Sequence, residues 1–523
     1  MPLASRLRHL APSTFPGINW RWVSYLVLGV GLLLRLVVWG QQRSMVLDEA
    51  NLVRNFVERS YDQLFQPLGY EQYAPPLFSV IVKACIGAFG NNELTVRLFP
   101  LLCSMATLML FRRLAWRWLA APFACLALAF VGFGSLFLDY ATECKQYASD
   151  GLVALALLEA AHWASRRRFT PAVALALAGL GMAAVWLSMP AVFVLAGVGL
   201  WLLTESLRDR DYRKAALVAA VGAGWGLSFL AYFFLLLKTS AGLSNLQTFH
   251  REYFLAFPPL SKDDWHLLGA QLQLIADRAI GKTVLAVALC GVGFAVGAWH
   301  AIVKLKEPFW LFLVPILACL AASALRYYSL IPRLTLFFLP LVVLLVFLGF
   351  TVLSTRRLPR LLLVVLSVVV LGNQQRLRAF FSPFYGDYAE VRDGLEYIAR
   401  EQRPGEVAFM NYNVAPIARY YTAHRQPPLR LQALVLQEPR ASATDIFQDA
   451  IVQLRQQGTA RAWILYDRAD ESASAFAATQ GRVLKRHNFE RGYVLLLQFA
   501  PARSAPARGT VAEPVGKEKL LSK

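Results

Sequence analysis

Three groups of polar residues stand at the edges of apolar segments, where they could do chemistry. The first is Asp48-Glu49, just beyond the first apolar run. Carboxylates at a membrane edge cost desolvation energy, which invites a catalytic role such as accepting the proton of a hydroxyl. They also suit a plainer one, with Asp48 as the N-cap of a surface-lying helix and Glu49 favoured by its dipole. The second group, Asp139 to Asp150, packs Asp139, Glu143, Lys145, Tyr147 and Asp150 between apolar spans. If this stretch were helical, Glu143, Tyr147 and Asp150 would share a face. A salt-bridged interfacial turn would need fewer charges, so a substrate site is the favoured reading. The third group runs from Arg326-Tyr327-Tyr328 to Arg333. Guanidinium forks bind phosphate bidentately, although Arg and Tyr also anchor helices at headgroups. On the same side as both acidic groups, a phosphate-binding role gains weight.

The elements that must position these groups follow from composition. Of 523 residues, 57% are apolar and only 16% charged, against roughly a quarter charged in soluble proteins. Apolar runs of membrane-spanning length recur through residues 1–373, for about eleven transmembrane helices. The net charge of +20 lies mainly in short loops, which fixes topology and argues against nucleic acid. The first segment keeps a basic flank without a cleavage site, so it reads as a retained helix. The six cysteines lie in or beside apolar segments with no CxxC, which excludes a disulfide scaffold and thiolate zinc.

Placing the N-terminus in the cytoplasm puts Arg112, Arg113, Arg117, Arg166–Arg168, Lys304, Lys306 and Arg356–Arg360 inside. All three polar groups then lie outside. Under this assignment helix two spans about 94–111, helix three about 119–138 and helix four about 151–164. Helices five and six flank Ser188-Met189-Pro190, and an external loop covers about 238–280. Pro76–Gly90 is too short to span and reads as an interfacial helix. The segment after Asp48 reads likewise, with Leu52, Val53, Phe56, Val57, Tyr61, Leu64 and Phe65 on one face and Asn51, Arg54, Asn55, Glu58 and Asp62 on the other. Residues 374–500 change to a soluble composition, with helix-like Val391–Arg400 and strand-like Val407–Tyr412, Ala462–Tyr466 and Tyr493–Phe499. They form a small extracytoplasmic α/β domain, and residues 501–523 read as a disordered tail.

Two motifs are set aside. Asp209-Arg-Asp211 is a DxD that parity places on the cytoplasmic side among arginines. His250 and His266, near Asp263 and Asp264, match no standard metal spacing. No motif supports a divalent cofactor.

The order and spacing of these features resemble the GT-C superfamily, specifically bacterial relatives of protein O-mannosyltransferases and of the lipid A aminoarabinose transferase. The matching features are Asp48-Glu49 after helix one, Tyr73-Ala-Pro75-Pro76-Leu opening the second interfacial helix, Asn92-Glu-Leu-Thr-Val-Arg97-Leu, and Glu143-x-Lys145-x-Tyr147. Arg403-Pro-Gly-Glu-Val407 and Arg419-Tyr-Tyr421 are similar to the external domain of some bacterial members. The resemblance implies a GT-C fold: an all-α polytopic membrane domain with a C-terminal α/β extracytoplasmic domain. It implies an inverting glycosyltransferase of the bacterial inner membrane, using a sugar on polyprenyl phosphate, with undecaprenyl phosphate the expected carrier, and a glycan, lipid or protein acceptor. Asp48 would be the catalytic carboxylate, with Glu49 beside it. Lys145, Arg326 or Arg333 would meet the lipid phosphate, and Tyr73, Glu143 and Tyr147 would shape the pocket. Many relatives carry His where Ala74 stands, so the contact made from that position in the family is not carried over. No external DxD is present, which argues against an obligatory divalent ion. The alternative class is a transporter of lipid-linked glycans without catalysis, against which stands the lack of an internal repeat.

Overall fold

The computed structural model describes residues 17–238, 249–354, 390–411, 413–437, 459–466, 471–490 and 492–499, with a few isolated positions between them. Two compact units emerge. The boundary expected at 373/374 and the tail expected after residue 500 lie outside the described residues, as does most of the eleventh span.

The first unit is a helical membrane body. Among the described residues, six helices are long and apolar enough to cross a bilayer: Trp20–Gly40, Leu98–Trp118, Ala191–Arg208, Tyr212–Leu237, Val284–Val303 and Lys306–Ala324. Shorter apolar helices cover Pro76–Phe89, Ala121–Phe133, Pro171–Leu187 and Leu339–Leu353. The chain is a multi-pass membrane protein. In chain order we name α1 Trp20–Gly40, α2 Leu47–Glu58, α3 Pro76–Phe89, α4 Leu98–Trp118, α5 Ala121–Phe133, α6 Tyr147–Ser165, α7 Pro171–Leu187 and α8 Ala191–Arg208. There follow α9 Tyr212–Tyr232, α10 Lys262–Ala279, α11 Val284–Val303, α12 Val314–Ala324 and α13 Leu339–Leu353.

Several boundaries differ from the sequence reading. Helix two begins later and runs on to Trp118, so Arg112, Arg113 and Arg117 are helical and not in a loop. Asn92 caps a single turn before it, accepting from Thr95 N–H at 3.0 Å. The third helix is broken at Gly134, between α5 and the short turn Ser135–Asp139. Backbone carbonyls freed near such a break cannot find water in the bilayer core. Arg35 of α1, itself only 1% exposed, donates to the carbonyls of Gly132 (2.9 Å) and Val131 (3.1 Å), and to Ser104 Oγ (2.8 Å). Elsewhere the body closes on small residues. A Cβ on Gly297 of α11 would run into the Leu345 carbonyl, and one on Gly349 of α13 into the Gly293 carbonyl. That is the close backbone approach that small-xxx-small spacing permits in membranes.

Both segments read as interfacial form helices, α2 and α3. Leu52, Val53 and Phe56 are fully buried, while Val57, Tyr61 and Phe65 are exposed. The helix stops at Glu58, so the expected apolar face does not continue through Phe65. Arg54 and Asn55, placed on the polar face, are buried instead. Arg54 stacks on Tyr70 (3.7 Å) and pairs with Glu58 (3.2 Å), and Asn55 accepts from Gly69 N–H at 2.7 Å.

The second unit carries a five-stranded sheet in the order β2-β1-β3-β5-β4. The strands are β1 Val407–Met410, β2 Leu434–Leu436, β3 Arg461–Tyr466, β4 Gly481–Asn488 and β5 Tyr493–Phe499. β1 is parallel to β2 and β3, whereas β5 pairs antiparallel with β3 and β4. Helix Val391–Glu401 and strands β1, β3 and β5 match the periodicities read from the sequence. Buried Trp463 donates its indole N–H to Glu406 at 2.8 Å, which satisfies the one polar atom that its ring brings into the core.

Candidate active site

The site grows from the short connection between α1 and α2. Helix α2 begins at Leu47 with Val46 at the cap position, so Asp48 is not the N-cap. It is the second helical residue, free to point outward, while Glu49 in the next position turns inward. The two neighbours meet opposite surroundings.

Glu49 is wholly buried. Its carboxylate receives both arms of Arg97, Nε to Oε1 at 3.0 Å and Nη2 to Oε2 at 2.6 Å, and the Cys144 N–H at 2.7 Å. Arg97 also donates to the carbonyls of Arg43 (2.7 Å) and Ser44 (3.2 Å). Burial alone would raise the Glu49 carboxyl, but the Arg97 guanidinium holds it below the ordinary range. A bidentate, fully hydrogen-bonded pair of this kind ties the end of α1, the start of α2, the entry to α4 and the 140–146 loop together.

Asp48 is 38% exposed at its side chain. Arg333, on the single turn Pro332–Thr335, brings Nη1 to 3.6 Å from its Oδ2. Lys145 lies close enough to be the chief influence holding the Asp48 carboxyl below its usual range; burial opposes it, and Arg333, Gln72 and His250 assist. Lys145 is itself buried and donates Nζ to Gln72 Oε1 at 2.5 Å. Gln72 follows two non-glycine residues with positive φ, Tyr70 (60°) and Glu71 (54°). Such backbone strain persists only where surroundings over-determine it. Here Tyr70 is held by Arg54 on its ring and by Glu58 on its hydroxyl.

Glu143 precedes α6, so it does not share a helical face with Tyr147 and Asp150 as the spacing had suggested. It is 6% exposed. Burial, and then the charge of Glu49, push its carboxyl up to about 7. Tyr147 opens α6, and Arg333 stands 6.0 Å from its ring and 5.9 Å from that of Phe249. His250 bonds Ser329 Oγ through Nδ1 at 3.0 Å. Burial, then Arg333, hold its imidazole below the ordinary value, which keeps it neutral at pH 7.

The structure therefore gathers Asp48, Glu143, Lys145, Tyr147 and Arg333, with Glu49 behind them. Other predicted residues lie elsewhere. The Tyr73 hydroxyl meets that of Tyr232 on α9. Asp139 ends the short turn before the loop, and its carbonyl accepts from Arg43 at 3.5 Å. Asp150 is buried in the first turn of α6, against Ser188 of the α7–α8 turn. Arg326 is exposed, and no described carboxylate pairs with it. Gln72 and Phe249 were not legible as site residues, since neither carries a motif. His250 was visible in the sequence only as a failed metal ligand.

The motifs set aside have local explanations. Asp211 caps α9, accepting from Lys214 N–H at 2.9 Å. Asp264 and Ser261 cap α10 reciprocally, at 2.9 and 3.1 Å. Among the described residues, no group of three or more His, Cys, Asp or Glu could hold a metal ion.

No family model matches the chain. No curated protein matches it either. Among solved structures, the oligosaccharyltransferase of Archaeoglobus fulgidus in complex with zinc and sulfate aligns with a TM-score of 0.51. That alignment covers 86% of this chain and 69% of the other, at 11% identity. The chain has the GT-C fold. ArnT from Cupriavidus metallidurans bound to undecaprenyl phosphate aligns over 92% of this chain and 98% of its own, at 14% identity and a TM-score of 0.40. The fold assignment rests on the first of these. In this fold the Asp48 cluster is built from the start of α2, the connection to α3 that carries Gln72, the 140–146 loop with the start of α6, and the segments that precede α10 and α13.

Proposed function

We propose that this protein is an inverting glycosyltransferase that moves a sugar from a polyprenyl-phosphate donor to an acceptor hydroxyl on the outer face of the membrane. The carrying observation is a partly exposed carboxylate set between two cations, Lys145 and Arg333, at a membrane edge. In this reading the acceptor O–H gives its proton to Asp48 as its oxygen attacks the anomeric carbon. The bond from that carbon to the phosphate oxygen breaks, and the lipid phosphate leaves with the electron pair. Lys145 and Arg333 stabilise the charge that develops there. Direct displacement inverts the anomeric centre.

The resting site looks ill-suited to a base, because the same two cations that bind phosphate depress Asp48. Donor binding resolves this. A phosphate between Lys145 and Arg333 shares their charge, which raises the proton affinity of Asp48 when the acceptor arrives. Glu49 and Arg97 act by fixing the backbone that carries Asp48, and Glu143 and Tyr147 line the sugar side. Undecaprenyl phosphate as carrier, a bacterial inner-membrane location, a cytoplasmic N-terminus and a periplasmic site with the C-terminal unit belong to the same proposal. The acceptor is a glycan, lipid or protein hydroxyl of the envelope.

The test is transfer of radiolabelled sugar from synthetic polyprenyl-phosphate sugars to membrane glycolipid extracts, comparing the wild type with Asp48→Asn at equal folded yield. Turnover lost in the variant while donor binding survives is the expected result. Unchanged turnover would reduce Asp48 to a charge at a helix start. Donor lipid translocation in liposomes without transfer would replace the enzyme by a transporter.

A further inference from the structure

Helices α4, α6 and α7 all have one end near the Asp48 side of the membrane body and the other far from it. Arg97 precedes α4, Tyr147 opens α6, and Ser188 follows α7. At 1.5 Å per residue, the far ends of α4 and α6 lie about 27–30 Å away, close to the thickness of a bilayer core, and Arg113 and Trp163 stand about 22–24 Å along them. Toward those far ends a cleft of about 360 Å³ opens between the three helices, lined by Arg113, Glu159, Ala160, Trp163, Ala176, Leu177 and Leu180.

Its chemistry is two-part. The wall along α7 is apolar, with Leu180 42% exposed and Leu177 buried beside it. The rim is cationic. Glu159 is held by Arg117 at 3.2 and 3.3 Å and by Arg113 at 3.4 Å, so the one acid in the cleft is outnumbered. Arg113 keeps 64% of its side chain exposed, which leaves most of its fork facing outward. Trp163, 40% exposed, carries Arg167 over its ring at 4.7 Å. A tryptophan beside two arginines above an apolar slot between helices is the composition that binds a charged headgroup and its chain.

We propose that this cleft is a binding site for an anionic glycerophospholipid, with the headgroup phosphate on Arg113 and Arg167, the glycerol against Trp163, and an acyl chain along Ala160, Ala176 and Leu180. The site lies on the membrane face opposite Asp48 and is independent of the transfer reaction. Charge complementarity selects the occupant: a zwitterionic lipid brings its own ammonium to a rim that already carries an excess of arginine.

The experiment is native mass spectrometry of the full chain, released from nanodiscs holding equal phosphatidylglycerol and phosphatidylcholine with identical acyl chains. The wild type is expected to retain one phosphatidylglycerol in preference to phosphatidylcholine. Arg113→Gln should lower that retention roughly fivefold, the effect of one arginine near a membrane surface. Leu180→Trp, which fills the slot and keeps every charge, should remove the retained lipid altogether, and serves as the independent variant should Arg113→Gln fold poorly. Equal retention of both lipids by the wild type, or retention unchanged in both variants, would overturn the site and leave only annular lipid.

Discussion

Asp48 and Glu49 are adjacent in the chain and alike in chemistry, yet the fold gives them opposite lives. Glu49 is sealed, with both oxygens taken by Arg97 and a backbone N–H. Asp48 stands in a partly open space where Lys145 and Arg333 approach without closing over it. A carboxylate whose lone pairs are all committed can hold a scaffold but has nothing left for a substrate. One flanked by cations that a phosphate could borrow keeps lone pairs for a substrate, as the proposed transfer requires. The pair teaches that a charge's role at a membrane edge depends on whether its partners are permanent or exchangeable.

The largest effect that would break this contrast is on turnover. Asp48→Asn should cost about 10²- to 10⁴-fold in transfer rate, the usual worth of a positioned general base, with thermal stability in detergent unchanged. Arg97→Ala should do the reverse. Removing one partner of a buried pair leaves an uncompensated charge and costs about 3–5 kcal/mol, read as a large drop in melting temperature, with donor affinity preserved in whatever protein folds. If Arg97→Ala proved stable and inactive, the two roles would have to be exchanged.

Gln72→Ala should lower turnover roughly tenfold, the cost of losing a hydrogen bond to a charged group, because Lys145 would lose its fixed acceptor. A smaller effect concerns pH. Glu143 sits at about 7, raised by burial and then by Glu49. It is neutral below that value and ionised above it, where its new negative charge opposes an anionic donor. Donor KM should therefore rise a few-fold as pH passes upward through 7, and Glu143→Gln should flatten that limb. Asp48, depressed below its ordinary value, should add no acid limb in the neutral range. Smallest of all, Asp211→Ala should cost about 1 kcal/mol of stability as a lost helix cap and leave transfer untouched, which separates the DxD from the site.

Much of the membrane architecture was legible because its signals are local. Apolar run length is read residue by residue, and the bilayer makes its consequences nearly obligatory. Asp48, Lys145 and Arg333 stood out because charges beside apolar spans are costly. The break at Gly134 was not read from the sequence: Leu119–Leu138 is long and mostly apolar, and Arg35, which takes up carbonyls beside the break, comes from another helix. Gln72 was hidden for a related reason. Its importance comes from Lys145 and from a left-handed backbone at Tyr70 and Glu71, residues that do not advertise such a conformation.

By itself the sequence determined that the chain lives in a membrane, that its polar clusters stand beside apolar spans, and that a separate α/β unit follows. Those outcomes depend on transfer free energies summed over contiguous residues. Tertiary structure alone decided which carboxylate is buried and which is open, that Glu143 falls outside the helix begun by Tyr147, and that Arg333 reaches Asp48 while Arg326 does not. Each of those depends on distances between segments far apart in the chain, set by how helices pack, and no local pattern of residue types encodes a distance of that kind.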